Sequence, residues 1–449
     1  MKRSFTLLFG LLIGLSSLSA QEPELNPMDT LTSHVAGIRQ ELDVLKRVKV
    51  GGYIQAQFQI ADSAGAPSFE GGNFASGVDK RFSIRRGRIK AQYDHPANER
   101  GISTSQVVLQ LDMTERGVRL MDGYVRFTDP IIGWFSLTTG LQNRPFGYEV
   151  ILSSSLRESP ERGRMSQILF PNERDMGMML TVQAPKTSRW NWLKMEAGFF
   201  NGMSSPNVNV DASDFDKKKD FIGHLVFARS NEAETFKYSG GISYYNGGYR
   251  LDTLEYGMST DSVGVRGFRQ LNTMSDVPIS LTRRGFTHRE YYGADLQLSF
   301  DWKGGITVLR GEYIAGDQPG ISSDTRSPIA NTPINKPTYN RPFNGAYFYL
   351  CQSIGHSPLS AVIKYDWYDP NTDVKGDELG KSVANGLKAT NATDVRYDTW
   401  GFGLAWRMDE NTRVTAYYDQ VKNETSQNLS TFTVDQHDNV FTLRVQTRF

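Results

Sequence analysis

The chain has 449 residues, 39% hydrophobic and 12% aromatic, with 42 Gly and with 50 basic against 49 acidic residues. Without Lys2 and Arg3 the bases fall to 48 against the same 49 acids, so no global positive field points to nucleic acid. Cys351 is the single cysteine, which excludes a structural disulfide and a lipoprotein anchor.

Met1, Lys2 and Arg3 precede an apolar run from Phe5 to Leu15, and Ser16, Ser17, Ser19 and Ala20 follow it. A cationic start, a short apolar stretch and a small-residue exit predict a secretory signal over 1–20, cleaved after Ala20 or after Ser19. The competing reading, a membrane anchor, needs a run long enough for a hydrocarbon core of about 30 Å. No later apolar segment is long enough for a transmembrane helix. An exported chain rich in Tyr, Phe and Gly is then a large soluble β protein or an outer-membrane barrel.

Over 21–47 the period changes. Leu31, Val35, Ile38, Leu42 and Leu45 follow 4-3-4-3 spacing, the d and a positions of about two heptads, and Asp29 or Thr30 can cap the start. This predicts a short N-terminal periplasmic helix that either rests on a barrel mouth or assembles with copies of itself.

From residue 48 onward, period-2 alternation predicts strands over 48–60, 80–94, 103–113, 119–128, 134–142, 174–184, 191–200 and 219–229. The second half predicts 236–249, 288–301, 304–315, 343–353, 358–368, 395–407, 411–421 and 438–449. Connections after even-numbered strands are short (129–133, 302–303, 354–357, 408–410), and those after odd-numbered strands are mostly long (61–79, 143–173, 250–287, 316–342, 369–394). A soluble sandwich has no reason to alternate in this way. Short periplasmic turns and long outer loops on a closed barrel do. The fold class is therefore all-β, a transmembrane antiparallel β-barrel of about sixteen strands spanning 48–449 in the bacterial outer membrane.

Side-chain alternation agrees. Phe441, Leu443, Val445, Thr447 and Phe449 oppose Thr442, Arg444, Gln446 and Arg448; Ile54, Ala56, Phe58 and Ile60 oppose Tyr53, Gln55, Gln57 and Gln59; Trp400, Phe402, Leu404 and Trp406 oppose Gly401, Gly403, Ala405 and Arg407. One face suits lipid and the other water. Trp134, Trp190, Trp192, Trp302 and Trp406 fall at periplasmic strand ends, as an interfacial girdle requires. Trp367 falls at an outer end, and Trp400 fits neither rim. The terminal Phe449 closes an alternating strand and is similar to the C-terminal signature that the barrel-assembly machinery reads.

The connection 143–173 carries Phe146, Tyr148, Ile151, Leu152, Ile168, Leu169 and Phe170, too many apolar groups for a disordered loop. It predicts a constriction loop folded into the lumen. Its Arg144, Arg157, Arg162, Arg164 and Arg174 are matched by Glu149, Glu158, Glu161, Glu173 and Asp175, most of them expected to pair with each other and with the wall.

On the second strand, parity puts Arg86, Arg88 and Lys90 in the lumen as a cationic ladder, because mid-bilayer Arg or Lys on the lipid face costs about 2–4 kcal/mol. Arg85 has the wrong parity, which a β-bulge or a rim position would resolve. Asp122, Tyr124 and Arg126 also face inward, as do Arg310, Lys364, Arg413 and Arg444, opposed by Asp112, Glu312, Asp366 and Asp419. The basic density lies beside the predicted constriction.

No His-x-x-x-His spacing and no Gly-x-Ser-x-Gly elbow occurs, and His288, His356 and His437 fall at strand ends or turns. No metal, cofactor or catalytic residue is expected, and the chain reads as a non-enzyme.

These residues resemble a known family. Gly51-Gly52-Tyr53-Ile54-Gln55-Ala56-Gln57-Phe58, Arg85-Arg86-Gly87-Arg88-Ile89, Asp122-Gly123-Tyr124-Val125, the run from Gly140 through Arg144-Pro145-Phe146-Gly147-Tyr148-Glu149, and Phe170-Pro171-Asn172-Glu173-Arg174-Asp175 look like the phosphate-selective porin O and P family. The resemblance implies a sixteen-stranded trimer whose third outer loop constricts each pore and whose lumenal Arg and Lys select anions. By matching position, Arg85 and Arg86 become paired basic wall residues and Asp122 the acid near the constriction. Where the family often has Lys before Pro-Phe, Asn143 and Arg144 stand here, so general porin is the name carried forward. The expected function is passive diffusion of small hydrophilic solutes, anionic or neutral, with modest anion preference and phosphate among the candidates. The expected selectivity residues are Arg85, Arg86, Arg88, Lys90, Asp122, Arg126 and Arg144, with Arg157, Arg162 and Arg164 on the constriction loop. Outer-membrane lipid and two further copies of the chain are the expected partners. The rival reading is a non-conducting barrel that binds a partner through its long outer loops.

Overall fold

A computed structural model describes residues 35–38, 46–202, 216–251, 253–271, 285–326, 336–384 and 386–449. Met1–Arg47 and Val48–Phe449 are separate compact units. The signal over 1–20 lies outside the described residues, and so does most of the 21–47 segment. Residues 35–38 of that segment are helical, with Val35 and Ile38 exposed.

The larger unit is a closed antiparallel barrel of sixteen strands plus one outer hairpin. The strands run β1 (Val48–Ala61), β2 (Lys80–Asp94), β3 (Ser105–Thr114), β4 (Gly117–Thr128), β5 (Phe135–Asn143), β6 (Arg174–Gln183), β7 (Leu193–Phe200), β8 (Asp220–Ser230) and β9 (Phe236–Gly247). After the hairpin β10 (Glu255–Thr260) and β11 (Arg266–Gln270) come β12 (Arg289–Trp302), β13 (Gly305–Gly320), β14 (Thr338–Ser353), β15 (Leu359–Asp369), β16 (Tyr397–Arg407), β17 (Thr412–Asn423) and β18 (Val440–Arg448). β9 pairs directly with β12, and β1 pairs with both β2 and β18, so the sheet has no free edge. Closure matters because hydrocarbon offers no hydrogen bonds to backbone groups.

The alternation holds around the seam. Tyr53, Gln55, Gln57 and Gln59 are buried toward the lumen while Ile54 and Ala56 are exposed, and on β18 Thr442, Arg444 and Gln446 are buried while Leu443 and Val445 are exposed. An apolar outside, a polar inside and closure together place the protein in the bacterial outer membrane. Trp190 and Trp192 stack at 6.3 Å in the turn before β7, on the same rim as Trp302 and Trp406. Trp400 is corrected: it lies three residues from the outer end of β16 and joins Trp367 through Tyr365, with ring centroids 4.8 Å and 5.9 Å apart, as part of an outer aromatic band.

Two extra residues break the parity of the basic wall. Gln55 pairs with Arg86 and Ala56 with Ile84, so Arg85 is a bulge residue. Gln110 pairs with Asp122 and Leu111 with Leu120, so Met121 is another. The sequence also understated β13 and β14, which run several residues further outward than expected. Pro342 is accommodated because it pairs only with β13, at Asp317, while β15 begins pairing at Asn344, so its missing donor costs little.

Candidate functional site

The segment between β5 and β6 crosses the interior of the barrel and carries a single-turn helix, α1 (Arg164–Leu169). Phe146, Val150, Met165, Ile168, Leu169 and Phe170 are buried against inward aromatics from the far wall, among them Tyr245, Tyr291, Phe343, Tyr347 and Tyr368. Phe146 and Phe170 lie 5.1 Å apart, and Tyr291 meets each edge-on. This apolar packing takes in side chains from β6 round to β17. Cavities remain against β2 and β4.

Polar anchors fix the rest of the segment. Ser154 bonds Tyr53 at 2.6 Å, Gln446 donates to the Ser155 carbonyl at 3.0 Å, Arg310 holds Glu158 at 2.9 Å, and the Glu312 carboxylate accepts the backbone N–H groups of Tyr148 and Glu149 at 3.1 Å each. Glu149 accepts from the Gly163 N–H at 3.0 Å and from Ser166 at 2.6 Å, closing the segment on itself.

Glu161 is the strongest of these anchors. Arg85, Arg86 and Arg444 reach its carboxylate at 2.8, 2.7 and 2.8 Å, from β2 and β18 together. The bulge turns Arg85 inward beside Arg86, so two successive residues face one acid. Burial by itself would raise the Glu161 pKa, but the three guanidinium groups outweigh it and hold the carboxyl well below the usual range.

A cavity of about 760 Å³ opens on the outer side of this junction, lined by Arg85, Arg86, Arg88, Arg119, Arg162 and Arg164 with Glu161 and Glu173 among the acids. Arg88 lies 3.5 Å from Asp112, and its buried Nε has no hydrogen-bond partner. Two residues further along β2 on the same face, Lys90 lines a second cavity of about 190 Å³ with Asp122, Tyr124, Arg126 and Glu196. Among the described residues no carboxylate lies within ion-pair distance of Lys90 or Arg126, whereas Asp122 is taken by Arg174 at 3.0 Å and Glu196 by Lys194 at 3.0 Å.

The remaining expected site residues divide. Arg144 is 1% exposed and its guanidinium meets Asp175 at 3.0 Å, so it braces the base of the crossing segment instead of standing free at a neck. Arg157 is equally buried, 3.9 Å from Glu173, and Arg162 meets the same acid at 3.2 Å while donating to the carbonyls of Ser166 and Phe170. Arg164 does line the outer cavity, stacked between Phe69 and Tyr397 at 4.3 and 3.6 Å. Arg119 went unnoticed in the sequence because strand parity from Asp122 points it at lipid. The bulge at Met121 reverses that, and Arg119 faces Asp112 at 3.2 Å. Phe69 and Glu70, from the β1–β2 loop, carry no sequence signal for an inward position.

No protein-family model matches the chain, and no curated protein matches it in sequence. In structure it is similar to OprB of Pseudomonas putida, with 12% identity and a TM-score of 0.54 over 92% of this chain and 97% of that one. It is also similar to the outer-membrane channel DcaP of Acinetobacter baumannii, with 11% identity and a TM-score of 0.51 over 90% of this chain and 97% of that one. At these identities the likeness is one of fold, a fold this barrel shares with an outer-membrane channel.

Proposed function

We propose that this barrel is a passive outer-membrane porin for small hydrophilic solutes, with a modest preference for anions. One observation carries the reading: the space beside the crossing segment is bounded by a basic wall on which Lys90 and Arg126 have no acidic partner among the described residues. Charges this close to a permeation path act through low-dielectric walls that focus their field. Distant loop charges are screened beyond about 8 Å at physiological salt, so the near-neutral total charge does not decide selectivity. The residue-level resemblance to the O and P porins supports the same direction, and phosphate is one anion to try first. A liposome-swelling assay tests passage of solutes directly. Swelling that falls as neutral sugars grow larger supports a pore, and no swelling with folded, inserted protein refutes it.

The trimer belongs to this reading too. The outer turn between β3 and β4 consists only of residues 115–116, so this wall stands lower than β13 and β14 with their 16 residues each. A low wall is suited to contact with neighbouring copies. Phe449, whose backbone exchanges hydrogen bonds with Gly52 at 3.0 and 3.1 Å, is the proposed contact for the assembly machinery.

The partner-binding alternative draws on the outer loops. β10 adds in parallel to β14, Phe268 and Lys388 bridge neighbouring loops, and Arg341 pairs with Asp394 at 2.8 Å, so these loops form a folded crown. A crown with no conductance beneath it would favour that alternative.

A further inference from the structure

The loop between β1 and β2 does not stand clear of the barrel. Its backbone is drawn in at Glu70, whose carbonyl accepts from Gln59 at 2.8 Å and Arg81 at 3.0 Å, and Gln167 of α1 donates to the Phe69 carbonyl at 3.1 Å. Residues 67–69, 72 and 73 therefore form part of the boundary of the large outer cavity. The Glu70 side chain points further in and is 6% exposed, with Oε2 lacking any hydrogen-bond partner.

What it meets there is mostly acid. A small pocket of about 20 Å³, room for one water, is lined by Glu70, Asp366, Asp438, Arg164, Lys364 and Thr399. Asp419 on β17 adjoins it, fully buried, with neither carboxylate oxygen hydrogen-bonded. Lys364 is already shared between Asp366 at 3.0 Å and Asp419 at 3.7 Å. Arg164 is stacked between two rings, and Arg444 on β18 is committed to Glu161 of the crossing segment. Tyr417 is the remaining titratable group facing Glu70, and Asp62 and Asp435 act on Asp438 from the loops. Four carboxylates thus share two cations in and beside this small pocket. Burial, then Asp419, raises the Glu70 pKa well above the usual carboxylate value, and burial pushes Asp438 up to about 6.

We infer that Glu70 is a proton-controlled latch that holds residues 67–73 over the outer mouth when protonated and releases them when ionised against Asp419. The sign follows from linkage. A carboxyl whose seated pKa is raised favours the seated loop fully below its free pKa, and loses that preference as pH rises toward the seated value. The seated loop narrows the outer cavity, so raising pH widens the path. Conduction is one readout of the latch, which concerns the loop and not the selectivity of the pore.

Two measurements test it together. A nitroxide on Pro67→Cys in a Cys351→Ala background is expected to be immobile at pH 5 and mobile at pH 9, and Glu70→Gln should keep it immobile at both. Single-channel conductance in 1 M salt, where screening acts within about 3 Å and width dominates over field, should rise from pH 5 to pH 9 in the wild type and stay low in Glu70→Gln. Asp419→Asn, which removes the repelling charge by a second route, should also blunt both responses. A label equally mobile at the two pH values, or a Glu70→Gln variant that keeps the wild-type response, overturns the latch. A silent channel whose label still responds leaves the latch standing and refutes the pore.

Discussion

Adjacent residues on a strand face opposite sides, so Arg85 and Arg86 on a regular β2 would send one guanidinium into lipid. The bulge removes that cost, about 2–4 kcal/mol at mid-bilayer, and gives Glu161 two partners from one strand. Breaking a buried pair by removing one member costs about 3–5 kcal/mol. Glu161→Gln is therefore expected to lower the melting temperature of the folded barrel and to open Arg157, Arg162 and Arg164, buried in the wild type, to trypsin. The depressed Glu161 pKa means that its anchoring is fully present above the ordinary carboxylate value and fades only as pH falls well below it. The melting difference between wild type and Glu161→Gln should accordingly stay constant from pH 8 to pH 5, and a difference that shrinks across that range contradicts the assignment. Selectivity belongs to other side chains. Lys90→Glu with Arg126→Glu should move the reversal potential in a salt gradient toward cations, whereas Arg144→Gln, which disturbs a buried brace with Asp175, should reduce stability and leave the reversal potential in place.

At the scale of elements, strands were legible because a wall with lipid on one side and water on the other forces a strict period of two. β2 runs from Lys80 to Asp94, the span expected from alternation, and sixteen barrel strands were counted from periodicity and loop lengths alone. Bulges were not legible, since one inserted residue leaves composition unchanged while reversing every side chain beyond it. Arg85 was the clue to one, as a charge of forbidden parity, but Arg119 gave no such warning, because Asp122 beyond the second bulge had set the parity on its own. The hairpin β10–β11 escaped too: its five pairs gain their stability from β14 and the neighbouring loops, not from a local pattern. The inward position of the 143–173 connection could be read from its apolar content, and the inward turn of Glu70 could not. The seam offers a test at this scale. A Cβ on Gly52 would collide with the Arg88 carbonyl oxygen and come within 2.6 Å of the Phe449 ring, so Gly52→Val should lower the yield of folded, heat-modifiable barrel in membranes far more than Gly77→Val, whose added Cβ meets nothing and whose cost is limited to a positive φ.

For the whole molecule, the barrel asymmetry suggests how one chain combines rigidity with passage: one side of the lumen is filled by the crossing segment and its aromatic partners, and the other is left open against Arg and Lys. Deleting residues 25–46 should leave an inserted barrel with a less stable oligomer, and native mass measurement that finds only monomers of the full-length protein would end the trimer proposal. The most direct test of the central claim is planar-bilayer recording of the purified, heat-modifiable protein in a tenfold salt gradient. Stable open steps with a reversal potential displaced toward the anion side are the predicted result. Silence, or a reversal potential displaced toward cations, would contradict an anion-preferring pore.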